Sequence, residues 1–300
     1  MTNEDIVYHY TSIDTMMKIV ETETIWASSV DYLNDTSEGK HYTGQIRERL
    51  SEYLRLNEIE DDLSAELTRH FDGTFPFTFR PLVASFSSED DSLPQWRAYC
   101  PSGNGVAIGF SADCLKRAHF EDVGTPSHGF GIYFGQVEYS QGPREPEVID
   151  KEIDLLLANT DKLVRTAAEF IPDAKLKRGF TFSVLLGVVA YLYKNISFSH
   201  ESESRIVVNP GFQSKPLQYD FRTVPTTLVP FVKLRIPMRR SGFEGLEYGP
   251  RMGSRIHFID RIVIGPTPHM QLSKQAIEAF FHKKEMNVLV EESNVPFRAW

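Results

Sequence analysis

The stretch YHYTS, at the start of the sequence, places a histidine where it could hold a small ligand. His9 lies on a short predicted strand, and a helix is predicted to begin directly after it. The free backbone amides at a helix start favour anionic or hydroxyl-rich groups, so Tyr10, Thr11 and Ser12 are candidate binding residues beside the imidazole. The alternative is a structural histidine whose ring nitrogens are satisfied within the fold.

Two further stretches combine aromatic rings with polar residues. In TIWASS, Trp26 precedes small residues that include Ser28, an arrangement that can form a stacking wall for a planar ring or a piece of core. In SEDDSLPQWRAYC, Arg97 is flanked by aromatic residues and suits a phosphate or a carboxylate. The other interpretation pairs Arg97 with the acidic residues of the SEDD loop.

The stretch SHESESRIVV carries two carboxylates and a guanidinium at alternate positions. If it forms one strand, Glu201, Glu203 and Arg205 share a face. Such a face is either the wall of an active site or a salt-bridged sheet edge, and the sequence leaves both open.

Other common site signatures are missing from the sequence. It contains no GxSxG, HExxH or Walker motif, and its nine histidines lack metal-ligand spacing, so we expect no metal. Hydrophobic content of 41% and charge of 24% are typical of a globular protein. The apolar runs are too short to span a membrane and the first residues are acidic rather than basic. We therefore expect a cytoplasmic protein with no membrane partner.

Charge is spread unevenly along the chain. The net charge is −9, which disfavours nonspecific binding to nucleic acid. The segment Lys233 to Arg261 is locally basic, however, and could face an anionic ligand or form a solvated loop.

The order of predicted elements favours an α+β domain spanning residues 1–300. Strands are predicted in both halves of the chain, with helical insertions at approximately 40–70 and 147–194. The stretch GFGIYFGQVEYS is predicted to be a strand, and a hairpin partner of the strand GNGVAIGF.

Several of these stretches, in order along the chain, resemble the DUF2971 family of bacterial proteins. The resemblance is carried by YHYTS, IWASS, YLNDTSEG, SFSSEDDSLPQWRAYC, GVAIGF, ESESRIVV, IVIGPT and SNVPFR. That family is similar to the ADP-ribosyltransferase superfamily, whose members bind NAD in a cleft between two small sheets. The resemblance thus implies split mixed β-sheets around an NAD cleft.

The same resemblance implies roles for individual residues. The poly-ADP-ribose polymerase branch uses a triad of His, Tyr and Glu, and His9 matches the His, which would hold the ribose and carboxamide side of NAD. Trp26 stands at the Tyr position and lacks its phenol oxygen. Glu203 is the closest match to the Glu, with Glu201 as the alternative. Arg97 and Arg205 would contact the diphosphate or orient Glu203.

The activity implied is transfer of ADP-ribose from NAD to a macromolecule, a protein or a nucleic acid, as in a toxin or phage-defence effector. Two alternatives stay open at this point. One is a silent module that binds a nucleotide or a protein in the same cleft, and the other is a glycohydrolase that passes ADP-ribose to water.

Overall fold

The computed structural model describes residues 6–33, 39–57, 80–100, 103–120, 131–142, 144–170, 178–210, 217–237 and 258–296. Within these ranges the protein is an α+β structure built on one large mixed sheet. The strands are β1 (Ile6–Ser12), β2 (Thr24–Ser29), β3 (Leu82–Ser87), β4 (Gly105–Ser111), β5 (His119–Phe120), β6 (Ile132–Gln136), β7 (Glu138–Ser140), β8 (Tyr193–Asn195), β9 (Glu203–Val208), β10 (Asp220–Val224), β11 (Thr227–Arg235), β12 (Ile259–Ile264) and β13 (Leu289–Glu292). The α-helices are α1 (Ile13–Thr22), α2 (Lys40–Leu56), α3 (Leu93–Tyr99), α4 (Ala112–Lys116), α5 (Pro146–Phe170), α6 (Arg178–Ala190) and α7 (Met270–Lys283).

The main sheet has two arms that meet at β3. One arm runs β1–β4–β12–β13, and the other runs β2–β11–β10. On its far side β3 pairs along its whole length with β9, which pairs in turn with β6. All of these pairings are antiparallel except β12 with β13.

Both arms attach to the same edge of β3, because β9 occupies the other edge. At one end of this edge Ser28 and Ser29 of β2 pair with the start of β3. At the other end β1 is joined by one position, Tyr8 opposite Ser87. The middle of the edge, residues 84–86, pairs with neither strand, so the two arms diverge there and leave a wedge-shaped opening.

The helix that follows β1 begins where the sequence predicts. Ser12 caps α1 by accepting a hydrogen bond from the Thr15 amide at 3.2 Å. Met16, Ile19 and Val20 then form the buried side of α1 against the main core. This packing fixes the exit of β1, and therefore the position of His9, relative to the sheet.

The helices α2, α5 and α6 form a second, smaller core. Ile46, Ile153 and Phe182, one from each helix, are fully buried there. The second predicted insertion is thus two helices, α5 and α6. Residues 58–70 of the first predicted insertion and 171–177 of the second lie outside the described residues. Of the helices that the structure describes, none is long and apolar enough to cross a membrane.

One predicted pairing is wrong. The GFGIYFGQVEYS stretch gives two strands, β6 and β7, and β6 pairs with β9 rather than with β4. Both edges of β4 are already taken, by β1 and β12. A hairpin between neighbours in sequence would have needed a free edge there.

Candidate functional site

The wedge between the two arms contains a cavity of about 400 Å³. Small-molecule sites occupy roughly 300–1,000 Å³. The cavity brings together predicted site residues from three strands: His9, Tyr10 and Thr11 on β1, Trp26 and Ser28 on β2, and Glu203 and Arg205 on β9. Glu201, the alternative to Glu203, also lines the cavity. Lining residues that were not predicted include Thr15, Lys18, Ser85, Tyr99, Lys194, Phe198 and Arg222.

His9 is held by the unpaired part of β3. Its Nδ1 atom lies 3.0 Å from the Ser85 carbonyl oxygen, and because a carbonyl only accepts, Nδ1 is the donor. Burial lowers the pKa of His9 and the nearby Arg222 charge lowers it further, while the bond to Ser85 raises it, with a net lowering. The neutral ring therefore leaves Nε2 as a hydrogen-bond acceptor.

Glu203 is buried and both of its carboxylate oxygens are engaged. Arg205 donates from Nε to Oε1 at 2.6 Å and from Nη2 to Oε2 at 2.8 Å, and Lys194 Nζ lies 3.3 Å from Oε2. Burial raises the pKa of Glu203, but the charge and hydrogen bonds of Arg205 and the charge of Lys194 outweigh it and hold the pKa below its ordinary value. Glu203 is thus a fixed negative charge in the cavity wall.

The predicted common strand for the two glutamates is wrong. Glu201 ends a 3-10 helix over Ile196–Glu201, and Ser202, with φ at 44°, turns the chain before β9 begins at Glu203. Lys194 nevertheless joins the two carboxylates, because its Nζ also lies 2.7 Å from Glu201 Oε2. The interpretation as a sheet edge is wrong as well, because β9 is paired on both sides.

Arg205 does not present its guanidinium to a ligand. Besides its two bonds to Glu203 it donates from Nη1 to the Tyr191 carbonyl oxygen at 2.9 Å, and it is 1% exposed. The residue therefore fixes the orientation of Glu203 instead of contacting a diphosphate.

Trp26 forms one wall of the cavity. Its ring stacks on Phe231 of β11, with centroids 4.2 Å apart and planes inclined by 20°. Phe231 backs the indole from one side, so Trp26, which is half-buried, is held as a platform.

Arg222 is a cavity residue that the sequence interpretation missed. It lies on β10, whose pairing with β11 places it on the same face of the sheet as Trp26 and Ser28. Its Nη2 atom lies 3.5 Å from Ser28 Oγ. The available signal was the pattern DFRTVPTTLVPFV, two strand-like runs around a tight turn. No motif pointed to this arginine.

Of the other predicted binding residues, some line the cavity and some do not. Tyr10 lines the cavity, but its hydroxyl donates to the Glu89 carbonyl oxygen and accepts from the Ser92 amide, so it is already satisfied. Ser12 serves as the cap of α1 and is not among the lining residues. Arg97 is exposed on α3 and does not line the cavity either.

The basic segment that the sequence singled out is described only at its ends. Lys233 pairs with Asp220, Arg235 with Glu23, and Arg261 with Glu291. Residues 238–257 lie outside the described part of the chain. Within the part described, no group of three or more His, Cys, Asp or Glu residues is arranged to hold a metal ion.

Comparison with known proteins gives one match. Neither curated proteins nor solved structures include a match to the chain. Residues 95–206 match the family described as "Protein of unknown function (DUF2971)". This segment, just over a third of the chain, contains Lys194, Glu201, Glu203 and Arg205, and it is the part of the chain that the match shows to be similar to DUF2971 proteins.

Proposed function

We propose that the cavity binds NAD and that the protein is an ADP-ribosyltransferase. One observation carries the proposal: His9 and Glu203, far apart in sequence, line the same cavity where two arms of a sheet diverge. A neutral imidazole and a fixed carboxylate are the groups that the chemistry needs. The proposed superfamily binds NAD between two small sheets, and here the two diverging arms of one large sheet would take the place of those sheets.

The reaction breaks the bond between C1′ of the ribose and the nicotinamide nitrogen. The bonding electron pair leaves with nicotinamide, which becomes neutral, and positive charge develops on the ribose. Glu203 would stabilise that charge, since a preorganised anion in a partly dry cavity acts without having to reorganise. A nucleophile of the acceptor then forms the new bond to C1′ and loses its proton.

The remaining residues would position the cofactor. His9 Nε2 can accept a hydrogen bond from a ribose hydroxyl or from the carboxamide, and Trp26 offers a flat face to the nicotinamide ring. Positioning of this kind contributes to the rate because the reacting groups are held in line before the step.

A second candidate function is a nucleotide-binding module that does not transfer ADP-ribose. The pairing of Glu203 with both Arg205 and Lys194 favours it, because two cations reduce the field that the carboxylate exerts on a ribose. Trp26 in place of a tyrosine points the same way. Release of ADP-ribose to water is the third outcome, and it uses the same cavity.

Incubation with NAD labelled in its adenylate part, in the presence of cell extract, separates the three functions. Label on protein or nucleic acid indicates a transferase, and free labelled ADP-ribose indicates a glycohydrolase. Binding of NAD without either product indicates the silent module. The proposal predicts label on a macromolecule, as expected of a cytoplasmic toxin or phage-defence effector. Wild-type protein that neither binds nor consumes NAD would contradict all three functions.

The matched variants are Glu203→Gln and Glu201→Gln, which remove one charge each from the two carboxylates that Lys194 joins. Glu203→Gln is expected to reduce turnover about 100-fold with little change in NAD affinity, and Glu201→Gln to do much less. Because Glu203→Gln also breaks a buried ion pair, a second variant combines it with Arg205→Met. This double variant removes the stranded guanidinium, so that a folded protein can be assayed.

A further inference from the structure

The charged side chains of the cavity wall balance one another with one exception. Lys194 and Arg205 are engaged by Glu201 and Glu203. Lys18, at the cavity rim on α1, pairs with Asp14 at 2.7 Å. His9 is neutral because burial and Arg222 hold its pKa low.

Arg222 is the exception. Among the described residues it has no carboxylate partner, and its contact is the 3.5 Å approach to the Ser28 hydroxyl. Partial burial lowers the pKa of its guanidinium, and no nearby acid offsets that effect. Arg222 is exposed and lines the cavity, so a bound anion can reach its guanidinium and accept charge-assisted hydrogen bonds from it.

The residues next to Arg222 indicate which kind of anion the cavity would bind. The planar guanidinium and the hydroxyl of Ser28 together offer donors to two oxygens of one group, the geometry that suits phosphate. The Trp26 ring, stacked on Phe231, lies on the same face of the sheet two residues from Ser28, so an aromatic platform adjoins the donors.

We infer that Arg222 and Ser28 form the phosphate-binding part of the cavity, and that its ligand carries a phosphate ester or anhydride next to a planar ring. This inference deepens the proposed function, since the NAD diphosphate is such a group. It replaces Arg97 and Arg205 in that role, because the first does not line the cavity and the second is taken up by Glu203 and Tyr191.

Calorimetric titration of the full chain with NAD, ADP, inorganic pyrophosphate and adenosine tests the inference. Arg222→Gln is compared with Arg235→Gln, which removes the same charge from the adjoining strand, where the guanidinium pairs with Glu23 and does not line the cavity. We expect Arg222→Gln to weaken binding of NAD and ADP about tenfold or more, and Arg235→Gln to change it less than about twofold. Adenosine, which has no phosphate, should bind both variants and the wild type alike.

Each outcome bears on the inference. If Arg222→Gln and Arg235→Gln weaken the binding of NAD and ADP equally, the effect is one of general charge and the inference is overturned. Loss of adenosine binding in Arg222→Gln would also overturn the inference. Failure of the wild type to bind any of the phosphate-bearing probes would overturn it too. Binding of ADP that depends on Arg222, in a protein that does not turn over NAD, would uphold the phosphate site and reject the transferase. Arg222 is exposed enough for Arg222→Gln to fold, and its thermal melting temperature should match that of the wild type.

Discussion

His9 Nδ1 lies 3.0 Å from the carbonyl oxygen of Ser85, across the part of the β3 edge that neither β1 nor β2 reaches. This side-chain hydrogen bond connects β1 to β3 at a point where the two strands, which diverge there, form no backbone pairing. It fixes the plane of the ring and directs Nε2 away from β3. His9 thus links β1 to β3 within the cavity lining and keeps Nε2 as a hydrogen-bond acceptor.

The His9–Ser85 contact predicts the effect of His9→Ala. Loss of the ring leaves the Ser85 carbonyl oxygen without this partner, and the free energy of unfolding should fall by about 1–2 kcal/mol. Affinity for NAD should fall about tenfold, since one positioned hydrogen bond is lost. Urea unfolding and calorimetry measure the two effects. His119→Ala, a change on β5 at a residue that does not line the cavity, is the control and should leave NAD affinity unchanged.

The lowered pKa of Glu203 predicts how stability depends on pH. The carboxylate is favoured in the folded state, so its contribution is complete above the ordinary pKa of 4.5 and is lost as the pH falls towards the folded value. Glu203→Gln should therefore reduce the free energy of unfolding by about 3 kcal/mol at pH 7, and the deficit should shrink below pH 4.5. Urea unfolding from pH 3 to pH 7 measures this. A deficit that stays constant over that range would show that the charge of Glu203 does not stabilise the fold.

The stacked platform predicts a graded effect at Trp26. Trp26→Ala should weaken NAD binding by about 1 kcal/mol, because the ring that would face the nicotinamide is lost, and Trp26→Phe should keep most of the affinity. Calorimetry with NAD and with ADP compares the two variants. Equal affinities for NAD in all three proteins would exclude Trp26 from the binding surface.

Replacement of Asp91 should lower the stability of the protein without weakening NAD binding. Its carboxylate accepts hydrogen bonds from Trp96 Nε1, Ser293 Oγ and the Asn294 amide, and so ties the chain after β13 to the loop before α3. Asp91→Ala should lower the free energy of unfolding by about 2 kcal/mol, since the three donors lose their acceptor. NAD binding, measured well below the melting temperature, should stay within about twofold of the wild type, because Asp91 does not line the cavity. A selective loss of binding in a folded variant would contradict this.

Local patterns in the sequence predicted the elements that carry His9 and Trp26. The residues around YHYTS and TIWASS predicted β1 and β2, and Thr11 or Ser12 was the predicted cap at the start of α1, a role that Ser12 takes. The attachment of both arms to one edge of β3 was not predictable, because strand pairing depends on contacts between distant segments. The turn at Ser202, a non-glycine residue with positive φ, gave no signal and moved Glu201 off the strand.

The role of Arg222 in ligand binding was likewise not predictable from the sequence. Arg222 is a candidate ligand-binding residue because the described residues give it no carboxylate partner. A sequence pattern shows which residues are neighbours along the chain, and it does not show which charges are paired in space. Arg97, with its aromatic neighbours, was the more conspicuous arginine, yet it lies on the exposed side of α3. Which charged side chains of a cavity are paired can be determined only from the three-dimensional arrangement of the strands.

The release of nicotinamide from NAD, measured for the wild type and for the Glu203→Gln, Arg205→Met double variant at equal folded fraction, tests the central proposal most directly. We expect steady release by the wild type, and release that is about 100-fold slower in the double variant at nearly unchanged NAD affinity. Arg205→Met alone controls for the loss of the guanidinium. Release at the same rate in the wild type and the double variant, or none from a wild type saturated with NAD, would contradict the account.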